Sequence, residues 1–149
     1  MAIGTDRRYR FDRGRHVVWS ALTDVDHYRR WWPWLRGFDG RAFVVGRTWQ
    51  CEIRPPLGYP VRFSLVLTAL EAGVMVEAQL DGDIHGPARV DLSGDDRACE
   101  LRLRTDLASV SGPVRWVERL APGLAERGHD QVLDAGFGRF RAAVLVRSP

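Results

Sequence analysis

Lysine is absent from this sequence, and all 22 basic residues are arginines. They are interspersed with 19 acidic residues, which leaves a formal net charge of only +3 at neutral pH. A nucleic-acid-binding protein usually concentrates its basic residues in one block or along one face. Although the pI is near 9.4, the sequence therefore predicts no nucleic-acid partner.

Cysteines and long apolar runs are also scarce. Cys51 and Cys99 form neither a CxxC motif nor a disulfide framework, which favours a reducing compartment. No stretch approaches the roughly eighteen consecutive apolar residues of a membrane-spanning helix, and residues 1–8 contain no apolar signal-peptide core. We therefore expect a cytoplasmic protein without membrane insertion.

The motifs of several common enzyme classes are missing too. The sequence contains no GxSxG, no P-loop and no GxGxxG. The histidines lack the spacing of metal ligands; they are His16, His27, His85 and His129. We therefore predict that the protein holds no metal and no cofactor.

The size and composition are those of one globular domain. A chain of 149 residues with 45% hydrophobic content can bury a full core without disulfides. We assign residues 1–149 to a single domain. Its first strand starts near Thr5 and ends at Phe11.

Two short helices are predicted after the first strand. Apolar residues at helical spacing indicate one helix that ends near Asp24, with Asp12 as its cap. A second helix covers residues 27–32, with Asp26 as its cap, and Pro33 ends it.

From residue 38 to residue 109, apolar and polar residues alternate as they do in strands with one buried face. The alternation is clearest over residues 49–54, 61–68, 74–80, 84–92 and 99–107. Short turn sequences rich in glycine, proline and aspartate separate these segments. We predict six strands here, joined as an antiparallel meander whose apolar face needs a cover.

The last part of the sequence predicts the helix that provides this cover. A helical region starts at the cap Ser111, breaks at Pro122-Gly123 and continues as a long helix from about Leu124. Its apolar stripe consists of Leu133, Phe137, Phe140 and Val144. His129 lies on the same face one turn before Leu133, and Gly136 exposes bare backbone there.

These elements, in this order, resemble a known protein family. The resemblance rests on three segments: residues 18–24 followed by Tyr28 and the Trp31-Trp32 pair, residues 81–86 in mid-sheet, and residues 128–133 leading to Gly136. Together they are similar to the SRPBCC or START-like superfamily, and within it to polyketide cyclase/dehydrase-type proteins. The resemblance implies an α+β helix-grip fold. In that fold a seven-stranded curved antiparallel sheet wraps around a long C-terminal helix, with two short helices after the first strand.

The resemblance also implies a cavity between sheet and helix that binds a hydrophobic or aromatic small molecule, such as a polyketide or a lipid. Tryptophan suits such a cavity because it joins a large apolar face to an N–H donor, although core packing is the alternative for each tryptophan. Arg54 and His85 fall on the polar face by alternation, where a β-bulge near Pro55-Pro56 or Pro87 could turn one inward. We assign to the ligand Trp31, Trp32, Trp34, Trp49, Arg54, Phe63, His85, Leu133, Phe137 and Phe140.

Three functional hypotheses follow. The first is a carrier or sensor that binds a hydrophobic ligand without catalysis. The second is a polyketide cyclase, aromatase or dehydrase that folds a flexible substrate in the same cavity, where His129 or Tyr28 moves a proton. For His129 the alternative is a structural hydrogen bond in the core. The third is an interaction module without a pocket, which forms a homodimer through a strand edge or the tryptophan cluster.

Overall fold

The computed structural model describes residues 2–32, 34–54, 60–109 and 122–147. Within them, seven strands form one antiparallel sheet in the order β1-β7-β6-β5-β4-β3-β2, so that β1 and β2 are its edges. The strands are Ala2–Phe11 (β1), Leu35–Phe38 (β2), Thr48–Ile53 (β3), Val61–Glu71 (β4), Met75–Gly82 (β5), Ile84–Gly94 (β6) and Cys99–Ser109 (β7).

The described helices are Arg15–Leu22 (α1), Tyr28–Trp31 (α2) and Pro122–Leu145 (α3), with a 3-10 turn at Val25–His27. The predicted α+β helix-grip architecture is thereby confirmed: a curved seven-stranded sheet, a long C-terminal helix and two short helices after the first strand. The predicted helix start at Ser111 lies outside the described residues. No helix in the described ranges is long and apolar enough to cross a membrane.

Helix boundaries differ from the predicted ones at three points. The residue that precedes α1 is Gly14, with no side-chain cap, so the prediction that Asp12 caps this helix is wrong. Asp26 lies inside the 3-10 turn rather than before a helix, and His27 takes the cap position of α2. Helix α2 covers Tyr28–Trp31 instead of residues 27–32, and the described part of α3 runs from Pro122.

Each strand turns alternate side chains toward α3 and toward solvent. The face toward α3, hereafter the inner face, carries the buried core side chains Phe11, Leu92 and Leu101. The opposite outer face carries ion pairs between neighbouring strands, such as Arg102 with Asp6 at 2.7 Å. The predicted alternation between a buried and a solvated face thus matches the strands that form.

Tyr28 lies where two clusters of buried side chains meet. One cluster contains Trp31 and Phe140, and the other contains Trp49. The Tyr28 ring centroid lies 6.0 Å from that of Trp31, 6.1 Å from that of Trp49 and 5.6 Å from that of Phe38. This aromatic packing joins α2 to β2 and β3 at one edge of the sheet.

Charged side chains connect helix α3 to the edge strand β1 through ion pairs and hydrogen bonds. The Arg7 guanidinium donates to the carboxylates of Asp130, at 2.7 Å, and Asp134. Further along α3, Arg141 donates to the backbone carbonyl of Arg10 at 2.7 Å. These contacts hold the helix along the length of β1.

The buried stripe of α3 has a glycine at its centre. Val132, Phe140 and Val144 are buried, and Gly136 is buried between them at the same four-residue spacing. A Cβ atom at position 136 would lie 2.4 Å from the six-membered ring of Trp32. Position 136 therefore has to be glycine for the indole to lie against the helix backbone.

We expect Gly136→Ala to lower the free energy of unfolding by about 1–3 kcal/mol, because the new methyl group forces the Trp32 ring out of its packing. Gly138→Ala is the matched control, since no atom lies within 4 Å of its Cβ position; it should stabilise the helix by up to about 1 kcal/mol. Urea unfolding measures both. Equal effects of the two substitutions would contradict the close contact between Trp32 and α3.

Candidate functional site

A row of small side chains crosses the inner face of the sheet. Thr5 pairs with Thr105, Thr105 with Ala88, and Ala88 with Ala78, so the row runs across β1, β7, β6 and β5. Small side chains leave space above a sheet where larger ones would fill it. This row is called the small-residue row below.

Gly86 extends this space on β6. Its φ angle is +144°, and a Cβ atom there would lie 2.1 Å from the backbone carbonyl oxygen of Asp106. No larger residue fits this close approach of β6 and β7. No large side chain therefore projects from β6 at Gly86 and Ala88 on the inner face.

Some large apolar side chains near the small-residue row are not fully buried, although Val76, Leu80 and Leu107 directly beside the row are buried. Phe63, Leu65, Val90 and Leu103 all lie on the inner face, and each keeps some solvent-accessible surface. Leu103 and Val90 pair with each other in the next row of the β6–β7 ladder. Part of this apolar surface is therefore accessible on the face that points toward α3.

One polar group in the small-residue row has no partner. The Thr105 hydroxyl oxygen is buried, and it makes no hydrogen bond with the described part of the chain. A buried hydroxyl without a partner costs free energy, and a bound molecule that reaches it recovers part of that cost. Thr105 is thus the candidate polar contact of this site.

Arg7 is the one charged residue on the inner face of the described strands. Burial disfavours its charge, but hydrogen bonds with Tyr9 and Asp134 outweigh this effect and raise the pKa of Arg7. Because two carboxylates from α3 already surround the guanidinium, its charge is neutralised within the protein.

The predicted aromatic ligand residues pack mainly against one another. Trp32 stacks on Phe140 with ring centroids 6.0 Å apart, and Phe137 stacks on Tyr9 at 3.9 Å. Trp31 meets the edge of Phe140 at 5.7 Å. The structure thus brings these side chains together as a core that closes one end of the space between sheet and helix.

Two of the predicted tryptophans use their N–H groups within the protein. The Trp34 indole donates to the Val132 carbonyl at 2.8 Å, which ties the chain before β2 to α3. The Trp49 indole donates to the Ala42 carbonyl at 3.1 Å. Neither N–H is available to a ligand in this conformation.

Tyr28, a predicted catalytic residue, is buried with its hydroxyl occupied. The hydroxyl donates to the Leu22 carbonyl at the end of α1. Burial, with the negative charge of Asp24 nearby, raises the pKa of this hydroxyl well above its usual value. His129 and Leu133 lie within α3, and the His129 side chain is outside the description. A catalytic role for Tyr28 and His129 stays a prediction.

Arg54 and His85 lie away from the inner face. Arg54 is exposed directly after β3, and His85 on the outer face pairs with Asp81 at 3.2 Å. The β5–β6 register runs through Pro87 without a shift, so no bulge turns this strand over there. The other predicted bulge, at Pro55-Pro56, lies outside the described residues.

The outer face carries two grooves, of about 600 and 430 Å³. The larger lies over β3 and β4 and includes the Arg62–Glu52 pair at 2.6 Å. The smaller lies over β5 to β7 and includes Arg89, which pairs with Glu77 and Asp91. These charges satisfy one another across strands, as ion pairs on a solvated sheet face commonly do.

Neither cysteine is suited to nucleophilic chemistry. Both are free and buried, and burial with Asp39 nearby raises the pKa of the Cys51 thiol to about 12. A thiol with such a pKa is protonated at neutral pH and does not attack a substrate. No metal-binding group of His, Cys, Asp or Glu occurs among the described residues.

Asp24 connects the end of α3 to the short helices beside Trp31. His27 Nδ1 lies 2.8 Å from one carboxylate oxygen, and Arg147 donates to the other. Burial opposes the ionised form, but the hydrogen bonds from His27 and Arg147 outweigh it and hold the pKa of Asp24 below its usual 3.8.

Because the pKa of Asp24 is lower in the folded than in the unfolded state, its stabilising contribution is complete above pH 3.8 and is lost as the pH falls further. We expect Asp24→Asn to lower the free energy of unfolding at neutral pH by about 1 kcal/mol. The deficit should shrink below pH 3.8. Urea unfolding across the pH range measures it, with the exposed neighbour variant Asp26→Asn as control. If the loss of unfolding free energy in Asp24→Asn did not change with pH, the charge of Asp24 would not be its cause.

Known structures share this fold at low sequence identity, whereas no family model and no curated protein matches the sequence. An aromatase/cyclase from Streptomyces sp. R1128 is 13% identical with a TM-score of 0.75, over 99% of this chain and 98% of that one. A START superfamily protein from Mycobacterium smegmatis is 12% identical with a TM-score of 0.69, over 95% and 97%. A conserved protein from Geobacillus kaustophilus is 11% identical with a TM-score of 0.74, over 96% and 95%. The chain thus has the helix-grip fold of the START-like SRPBCC superfamily.

Proposed function

We propose that this protein binds a neutral hydrophobic small molecule between the inner face of the sheet and α3. The observation that carries the proposal is the small-residue row bordered by accessible apolar side chains. Ala88 and Thr105 form the floor, and Val90, Leu103 and Leu65 form the border.

The charge distribution supports a neutral ligand. Arg7 already has two carboxylate partners, so an acidic ligand would find no free positive charge on the inner face of the described strands. A basic ligand would meet mostly apolar side chains and lose its hydration without compensation. A ligand with a few hydroxyl or carbonyl groups fits best, since Thr105 offers one buried polar contact.

The dimensions of the small-residue row support a flat or elongated ligand. The row crosses four neighbouring strands, which at about 4.8 Å between strands corresponds to roughly 14 Å. A fused-ring aromatic molecule, a polyketide or a lipid of comparable length matches this span.

The hypothesis of a carrier or sensor has more support from the described residues than that of an enzyme. The Tyr28 hydroxyl donates to the Leu22 carbonyl and would have to leave this bond to transfer a proton. A shared fold does not decide between binding and catalysis, although one similar structure is described as an aromatase/cyclase.

Native mass spectrometry of the freshly purified protein, followed by extraction, tests the proposal directly. Ala88→Leu should weaken binding of the released ligand, and of the neutral dye Nile red, by about tenfold or more, because the larger side chain fills the floor of the space. Ser93→Leu is the matched control, since it makes a similar change at an exposed outer-face position of β6.

Two results would overturn the proposal. One is a purified protein that contains no bound small molecule and binds neither Nile red nor added lipids. The other is an equal loss of dye binding in both variants, because the dye would then lie outside the inner face.

A further inference from the structure

Polar side chains on the inner face are confined to one side of the sheet. Among the described strands, the hydroxyl-bearing and charged side chains of this face all lie on β1 and β7; they are Thr5, Arg7, Tyr9, Thr105 and Ser109. These two strands are neighbours at one edge of the sheet. The inner face therefore has a polar side, which is called the β1–β7 side below.

The rest of the inner face offers a ligand no side-chain hydrogen bond. On the described strands β3 to β6 this face carries glycine, cysteine and apolar side chains, and the Trp49 indole N–H already donates to the Ala42 carbonyl. An oxygen atom of a bound molecule would lose its hydrogen bonds with water there and gain none from these side chains. Ligand oxygen atoms are therefore unfavourable over β3 to β6.

The small-residue row runs from the polar side of the sheet to the apolar side. It begins with Thr5 and Thr105 and continues with Ala88 and Ala78. The next position in the same direction is Leu67 of β4, which is buried. A molecule that lies along the row would thus have hydroxyl groups beside one of its ends and hydrocarbon beside the rest.

The polar contact at this end is Thr105. Its hydroxyl oxygen is buried, and no side chain or backbone group of the described residues bonds to it. A threonine hydroxyl can donate to a carbonyl or accept from a hydroxyl. Arg7 lies in the next row, opposite Leu103, and its charge is already neutralised by two carboxylates of α3. The β1–β7 side therefore favours an uncharged polar group.

We infer that the ligand is a neutral amphiphile whose polar group lies at one end, over Thr105, while its hydrocarbon part extends along the row over Ala88 and Ala78. This inference rests on the proposed function and narrows it. A long-chain or fused-ring alcohol or ketone fits this arrangement. A chain with carbonyl groups along its whole length fits less well, because most of its oxygen atoms would lie over the apolar strands.

Competition between two isomeric alcohols tests the orientation. Dodecan-1-ol carries its hydroxyl at the end of the chain, whereas dodecan-6-ol carries it near the middle, so the two molecules differ little in hydrophobicity. Displacement of Nile red measures the affinity of each. Dodecan-1-ol should bind the wild type about fivefold more tightly, because its hydroxyl can reach Thr105 while its chain stays on the apolar side.

Thr105→Val replaces the hydroxyl by a methyl group of similar size. It should weaken the binding of dodecan-1-ol about fivefold and remove the preference between the two alcohols. Without ligand, the variant should unfold at a higher urea concentration than the wild type, because it loses a buried hydroxyl without a partner. Thr48→Val, at an exposed outer-face position of β3, is the matched control and should change neither affinity.

The outcomes separate this inference from the proposed function. If both alcohols displace Nile red equally well, or if Thr105→Val keeps the preference for dodecan-1-ol, the orientation is wrong while binding on the inner face stands. A wild-type preference for dodecan-6-ol would also overturn it. If neither alcohol nor Nile red binds, the proposed function fails and the inference fails with it.

Discussion

The packing of Tyr28 is one of the contacts that join the two halves of the core. Its ring touches aromatic side chains from α2, β2 and β3, and its hydroxyl satisfies the carbonyl of Leu22. A buried ring that also closes a backbone hydrogen bond fixes both the position and the rotation of the segment that carries it. Trp19 and Leu22 of α1 also pack against both clusters of the core, so Tyr28 shares with them the role of holding the short helices against the sheet.

The inner face of the sheet has a filled end, where aromatic side chains pack, and a region of small side chains around Ala88. At the filled end, Trp32 lies flat against the backbone of Gly136, and Phe140 packs beneath it. In the region of small side chains, Ala88 and Gly86 project little or no side chain from the sheet. Aromatic packing thus supplies the stability that allows apolar surface near Ala88 to remain accessible, since a small domain gains most of its stability from burial.

The fold follows from the sequence because its signals are periodic. Alternation over residues 49–107 predicts strands, as the structure confirms. Of the stripe predicted for α3, Phe140 and Val144 are buried, whereas Leu133 and Phe137 are partly buried and Val132 and Gly136 complete the buried side. The helix caps could not be predicted, because Asp12 and Asp26 are good cap residues that the backbone path places two residues and one residue before the actual cap positions, Gly14 and His27. Local preference is weaker than the packing that sets where a helix begins.

The residues of the candidate site were harder to predict from the sequence than the fold. Of the tryptophans predicted to contact a ligand, Trp31 and Trp49 are buried and Trp32 and Trp34 are partly exposed, and their ligand role stays a prediction. The small residues of the inner face give no signal individually. Alternation already placed Ala88 and Thr105 on the apolar face. Their alignment with Thr5 and Ala78 depends on the register of four strands, which a single sequence does not specify.

The pairing of β1 with β7 has a consequence for how the chain folds during synthesis. β1 bonds residue by residue with a strand that begins at residue 99, and its Arg7 is neutralised by carboxylates on the last helix. Because the ribosome synthesises the N-terminus first, β1 cannot pair with β7 until most of the chain has left the ribosome. The hairpins of β3 to β6 can form earlier, because their contacts are local. Pairing of β1 with β7 is therefore a late step, and in an incomplete chain the backbone groups of β1 lack this partner.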